Sequence, residues 1–188
     1  MTQGQLGIAW GAEEPPAPVL LVFEVVDERP RPKGNLAARA YPHRPDGQDP
    51  PAACSSCGVR NEEWRAMIYD PDKNSPWRKA VRAAAAGART TAKLATIPFA
   101  VVLEVVFFFE RPANHHRGND IANPLKADAP RYPVSHQCGD LGKLLRAIED
   151  EITEAKVWAD DSLVVSYGGS TKLWSDRNRA VVRIVAAL

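Results

Sequence analysis

Three cysteines in 188 residues are too few, and odd in number, for a disulfide framework. Residues 1 to 11 carry neither a basic lead-in nor an apolar run of export-signal length, so a reducing, cytoplasmic location is the expectation. Long hydrophobic runs are also missing. The longest, Ile97 to Phe109, has 13 residues and contains Pro98 and Glu104, whereas a bilayer span needs about 20 apolar residues, so no membrane-spanning helix is expected. Charge of one sign is absent as well: 24 Lys plus Arg face 23 Asp plus Glu. That balance excludes a protein basic over its whole surface and leaves room for a local basic patch. Aromatic residues make up only 7%, but 45% hydrophobic and 25% charged residues are the proportions of a folded chain. The length suits one domain.

Proline is what the chain has in plenty. Seven prolines, at 30, 32, 42, 45, 50, 51 and 71, interrupt residues 27–74, which read as a long functional loop with one short element near Trp64 to Tyr69. Pro124, Pro130 and Pro133 make 113–138 a second long loop. Residues 1–18 read as a flexible terminal arm and 19–188 as one domain. Four segments have strand character: Val19 to Val26, Phe99 to Glu110, Ser162 to Tyr167 before the Gly168-Gly169 turn, and Ala180 to Ala187. Phe99 to Glu110 is the strongest and is expected mid-sheet. One helix should open at Ser75-Pro76 and run from Trp77 to Ala86, stopping before Gly87. A second should follow Asp140 at the N-cap, with Leu141, Leu144, Leu145, Ile148 and Ile152 on one face. The expected fold is α+β: a single domain with a mixed sheet of about four strands flanked by two main helices.

Carboxylates stand at both ends of the excursion from this helix into the next strand, Asp140 before it and Asp160-Asp161 after it. A strand folded back beside the helix start would cluster them, and clustered carboxylates are what a hard cation such as Mg²⁺ or Mn²⁺ requires. A helix cap at Asp140 and a polar turn at Asp160-Asp161 account for the same spacing. Spacing alone leaves both readings open.

The same residues resemble the RusA-type Holliday junction resolvases, especially their actinobacterial and phage members. That family has a motif similar to Pro-Asp-Leu-Asp-Lys/Asn-Leu-x-Lys/Arg-Ala, a helix, then Asp-Asp-Ser/Ala-Gln-Val and a strand ending near a Lys. Here the corresponding stretches are Gly139-Asp140-Leu141-Gly142-Lys143-Leu144-Leu145-Arg146-Ala147 and Asp160-Asp161-Ser162-Leu163-Val164, with Lys172 downstream. Arg31-Pro32-Lys33-Gly34 and Ser75-Pro76-Trp77-Arg78 resemble two further family segments.

The resemblance implies a metal-dependent, structure-selective endodeoxyribonuclease that resolves four-way DNA junctions as a homodimer, with one site for each of two strands. It implies Asp140, Asp160 and Asp161 as ligands of Mg²⁺ or Mn²⁺, with Asp140 and Asp161 catalytic. Arg146 matches a basic catalytic position, usually Lys, where a cation offsets charge on the scissile phosphate. Gly142 stands where the family has its second motif Asp, so one carboxylate is absent. The alternative reading is therefore a junction-binding relative with impaired catalysis. Glu149 and Asp150 lie seven and eight residues past Gly142, roughly 10 to 12 Å along a helix, and neither is an easy substitute.

Arg29, Arg31, Lys33, Arg39 and Arg44 are five cations in a stretch without an acidic residue, which suits phosphate contacts as well as it suits a solvated loop. Arg31, Lys33, Arg39, Arg117, Lys143 and Lys172 are the expected DNA contacts. His115-His116 reads as an exposed loop pair rather than a metal site. Cys54 and Cys57 have the spacing of half a Zn²⁺ site, which His136 and Cys138 would complete only as an unusual second half.

Overall fold

A computed structural model describes residues 17–33, 37–42, 64–69 and 75–187, with 37–42 and 64–69 described by their backbone. The apolar alternation of the chain builds a mixed sheet. β1 (Val19–Val26) runs antiparallel to β7 (Arg179–Ala186), and β7 runs antiparallel to β4 (Val101–Glu110). The far edge of β4 is covered twice. β5 (Val164–Ser166) pairs with its start and β6 (Thr171–Ser175) with its end, both parallel to it. The sheet thus has five strands rather than about four, and β4 lies at its centre, as its apolar run implied.

The strand missing from the sequence reading is β6. All five of its residues are half-buried, so it lacks the in-and-out alternation by which a strand is recognised. Between β5 and β6 the ladder is bridged by a side chain, with Val105 N–H donating to Ser170 Oγ at 3.1 Å. Gly168 makes this crossing close to β4: a Cβ there would stand 3.0 Å from Val102 Cγ1. Residues 27–74 also hold more order than a loop, since β2 (Ala37–Pro42) and β3 (Trp64–Tyr69) pair antiparallel in a separate two-stranded sheet.

Two helices cover one face of the main sheet, completing the α+β architecture. α1 (Pro76–Thr91) presents Trp77, Val81 and Ala85, and α2 (Leu141–Glu154) presents Leu144, Leu145, Ile148 and Ile152. These join Leu103, Val105, Phe107 and Phe109 of β4 in one buried cluster. Full burial of each large apolar side chain contributes roughly 1.5–3 kcal/mol. α1 continues past Gly87 to Thr91, against the expected stop. The chain ends the helix instead at Lys93, which adopts the left-handed conformation while Leu94 N–H bonds back to Arg89 O. Lys156 ends α2 in the same way, with Val157 N–H bonded to Ile152 O.

Charge fastens the helices together. Arg78 is 4% exposed and Glu151 is fully buried. Arg78 Nε donates to Glu151 Oε1, Arg78 Nη2 reaches Asp150 at 3.0 Å, and Arg82 Nε donates to Glu151 Oε2 at 2.7 Å. The Ser75-Pro76-Trp77-Arg78 segment is thereby an anchor for α2.

Candidate active site

The N-terminus of α2 collects two remote segments. Gly139 has φ +65°, and a Cβ there would lie 2.7 Å from Pro32 Cγ, so only glycine lets Pro32 pack on this turn. The next residue, Lys33, donates its backbone N–H to Lys143 O at 3.0 Å and its ammonium to Asp150 at 2.8 Å. From the sheet, Lys172 of β6 donates to Gly139 O at 2.8 Å. Arg29 adds a bond from Nη2 to Gln137 O.

Asp140 occupies the N-cap position of α2, yet its carboxylate makes no capping hydrogen bond and its side chain is 81% exposed. Its ion-pair partner is Lys143, at 3.9 Å. Ser75 likewise takes the N-cap position of α1 without a side-chain cap. The capping role does fit Asp160. Its carboxylate accepts the Ser162 N–H at 2.9 Å at the head of a short 3₁₀ turn, Asp161–Leu163, and hydrogen bonds from the Ser162 hydroxyl and N–H hold it below the usual carboxylate range.

Asp161 is exposed and lies close enough to Glu149 to disfavour its ionisation. Glu149 is 6% exposed, and burial first, then repulsion from Asp161 and Asp150, lifts its carboxyl above the ordinary value against a favourable bond from Tyr167. Tyr167, at the end of β5, donates to Glu149 Oε1 at 2.8 Å, and its own phenol is pushed up to about 12 by burial and by Glu149. Arg146, exposed on the same stretch of α2, attracts both groups. The structure therefore brings Asp161, Arg146, Glu149 and Tyr167 into one electrostatic neighbourhood along the middle of α2. Asp140 stands instead at its N-terminus, next to Gly139, whose carbonyl Lys172 holds.

A family model described as Endodeoxyribonuclease RusA matches residues 50–185. The chain belongs to the RusA family. No curated protein matches it. RusA nucleases are Holliday junction endodeoxyribonucleases that depend in general on a divalent metal, and the residues of this RusA chain can be tested against that need. Among the described residues, no group of three or more His, Cys, Asp or Glu is placed to hold a metal ion. A Cβ at Gly142 would meet nothing within 4 Å, so a side chain at this position would enter open space. Asp160 accepts the Ser162 N–H through Oδ1, and Asp150 is paired with Lys33 and Arg78. Among the described residues the carboxylates do not make a closed three-ligand site.

The expected DNA contacts of this RusA protein separate by environment. Arg31, Arg117 and Lys143 are exposed. Lys33 is ion-paired and Lys172 is bonded to Gly139. Arg39 lies on β2 opposite Met67. Cys54 and Cys57 lie outside the described residues. Cys138 is buried, with Sγ 3.3 Å from Ser135 Oγ, while His136 is exposed. The histidine pair is less open than expected: His115 is half-buried against Trp174, and His116 Nδ1 lies 2.6 Å from Asn123 O.

Two residues of this neighbourhood escaped the sequence reading. The separation of Glu149 from Gly142 along the helix gives it no role by itself. Its place three residues after Arg146 on a helical repeat was the available signal. Tyr167 gave none, because its approach to Glu149 depends on where β5 lies.

Proposed function

We propose that this RusA-family protein is a structure-selective endodeoxyribonuclease that cuts paired strands of four-way DNA junctions, with Mg²⁺ or Mn²⁺ as its metal. The observation that carries this reading is the convergence of Pro32-Lys33, Gly139-Asp140 and Lys172 at the start of α2, where an uncapped carboxylate stands exposed among cations. Asp140 and Asp161 serve as catalytic carboxylates, with Asp160 holding the turn that carries Asp161. Arg146 offsets charge on the phosphate being cut. Arg31, Arg39, Arg117, Lys143 and Lys172 contribute to the DNA face, and Lys33 contributes mainly by fixing the loop. A homodimer supplies one site per strand. The sheet face away from the helices, with Val22 and Val26 exposed on β1, is a surface suited to such pairing. DNA as substrate accords with a cytoplasmic location.

A second reading is favoured by Gly142 and by the lack of a three-ligand cluster among the described residues: a protein that binds junctions and cuts them poorly. One experiment separates the two. A labelled four-way junction and a matched linear duplex are incubated with Mg²⁺ or Mn²⁺ and either the unaltered protein or Asp161→Asn. Junction-selective cutting that the substitution abolishes is the expected result. Tight junction binding without cutting would leave the second reading, and neither binding nor cutting would overturn both.

A further inference from the structure

Beside the α2 N-terminus lies a cavity of about 580 Å³ that the roles above do not use. Its walls come from the end of β4, from β6 and from residues 111–138, and Gln137 and Cys138 of its lining lead directly into Gly139-Asp140. Trp174 and Arg111 form one side: the guanidinium lies 5.2 Å from the centroid of the indole, and both donate to Pro130 O. His115 meets Trp174 edge-on at 5.1 Å. Arg29 stands on the lining with one hydrogen bond, to Gln137 O.

We propose that this cavity receives one unpaired nucleotide of the DNA substrate, its base against the Trp174–Arg111 platform and its phosphate against Arg29 and the remaining donors of Arg111. The proposal rests on the nuclease reading for its substrate and names the part of that substrate the cavity takes. Bases stack on aromatic rings and guanidinium planes alike. A guanidinium has five N–H donors, so each arginine keeps several beyond its carbonyl bond. The volume lies within the range of small-molecule sites and is too small to take a duplex. His115 lines the cavity beside this platform, and burial first, then Arg111, keeps its imidazole below the ordinary value. Opening a base costs least where pairing is already interrupted, and the branch point of a junction supplies that interruption.

The test is calorimetric titration of the full chain with a 5′-phosphorylated thymidine tetranucleotide, its abasic counterpart and free thymidine 5′-monophosphate. The tetranucleotide should bind about tenfold tighter than the abasic strand, the scale of one base–aromatic stack. Trp174→Leu should remove most of that preference. Ile121→Trp, which fills the cavity from a position 70% exposed and so spares folding, should weaken tetranucleotide binding by a similar factor. Equal affinity for the two strands, or unchanged binding in Ile121→Trp, would overturn the proposal. Monophosphate binding as tightly as the tetranucleotide would overturn the assignment to a DNA strand. Junction cutting without base preference would remove this inference and keep the nuclease reading. Base preference without junction cutting would do the reverse.

Discussion

The Tyr167 hydroxyl donates a 2.8 Å hydrogen bond to Glu149 Oε1, tying the end of β5 to a carboxyl that burial holds above its ordinary value of 4.5. A carboxyl raised in the folded state favours folding when protonated. Its contribution is complete below the unfolded value and is lost as pH rises through the raised folded value. Stability measured by urea unfolding should therefore fall across that window in the unaltered protein, and Glu149→Gln, which keeps an acceptor for Tyr167, should flatten the fall. Tyr167→Phe should cost about 1–2 kcal/mol at pH 7.

Breaking the buried ion network should be costly. Arg78→Met leaves the fully buried Glu151 with Arg82 alone, and thermal or urea unfolding should register a loss of about 3 kcal/mol. Replacing Glu151 by Met in the same chain should restore much of it, because no buried carboxylate is then left without its Arg78 partner.

Gly139 and Gly142, on either side of Asp140-Leu141, should respond in opposite directions. Gly139→Ala forces a Cβ to 2.7 Å from Pro32 at a positive φ, costing about 1–3 kcal/mol and shifting Asp140. Gly142→Ala meets open space within a helix and should stabilise by roughly 1 kcal/mol. Paired unfolding curves check both.

Gly142→Asp puts a carboxylate into that open space, where the positive end of α2 also favours it. The variant should fold at least as well as the unaltered chain and cut four-way junctions at least tenfold faster. Junction cleavage at fixed Mg²⁺ measures this. An unchanged rate beside robust unaltered cutting would mean that the site works by a different set of ligands.

Junction binding should weaken steeply with salt. Arg31→Ala, Arg117→Ala and Lys143→Ala should each lower the slope of log affinity against log salt by about 1. Lys33→Ala should act mainly on stability, since its ammonium is paired with Asp150. Fluorescence anisotropy across a salt series separates the two effects.

The sequence by itself determined the elements whose burial is periodic. β1, β4, β7 and α2 announce themselves because alternate residues, or residues three and four apart, must reach one core. It also carried the motif by which the chain resembles its family. Only the tertiary structure decided what depends on neighbours. β6 is a strand because β4 offers it an open edge. α1 runs through Gly87 because a single helical glycine costs only about 1 kcal/mol beside the burial of Trp77, Val81 and Ala85. Asp140 and Asp160 have the same residue type and the same expected metal role, yet one carboxylate makes no capping bond and the other accepts the Ser162 N–H at the head of a turn. Glu149 was present in the sequence as one more helical acid. Its meeting with Tyr167 and Asp161 arises only when the chain beyond α2 folds back along the helix, since no local spacing encodes a contact made across 18 residues.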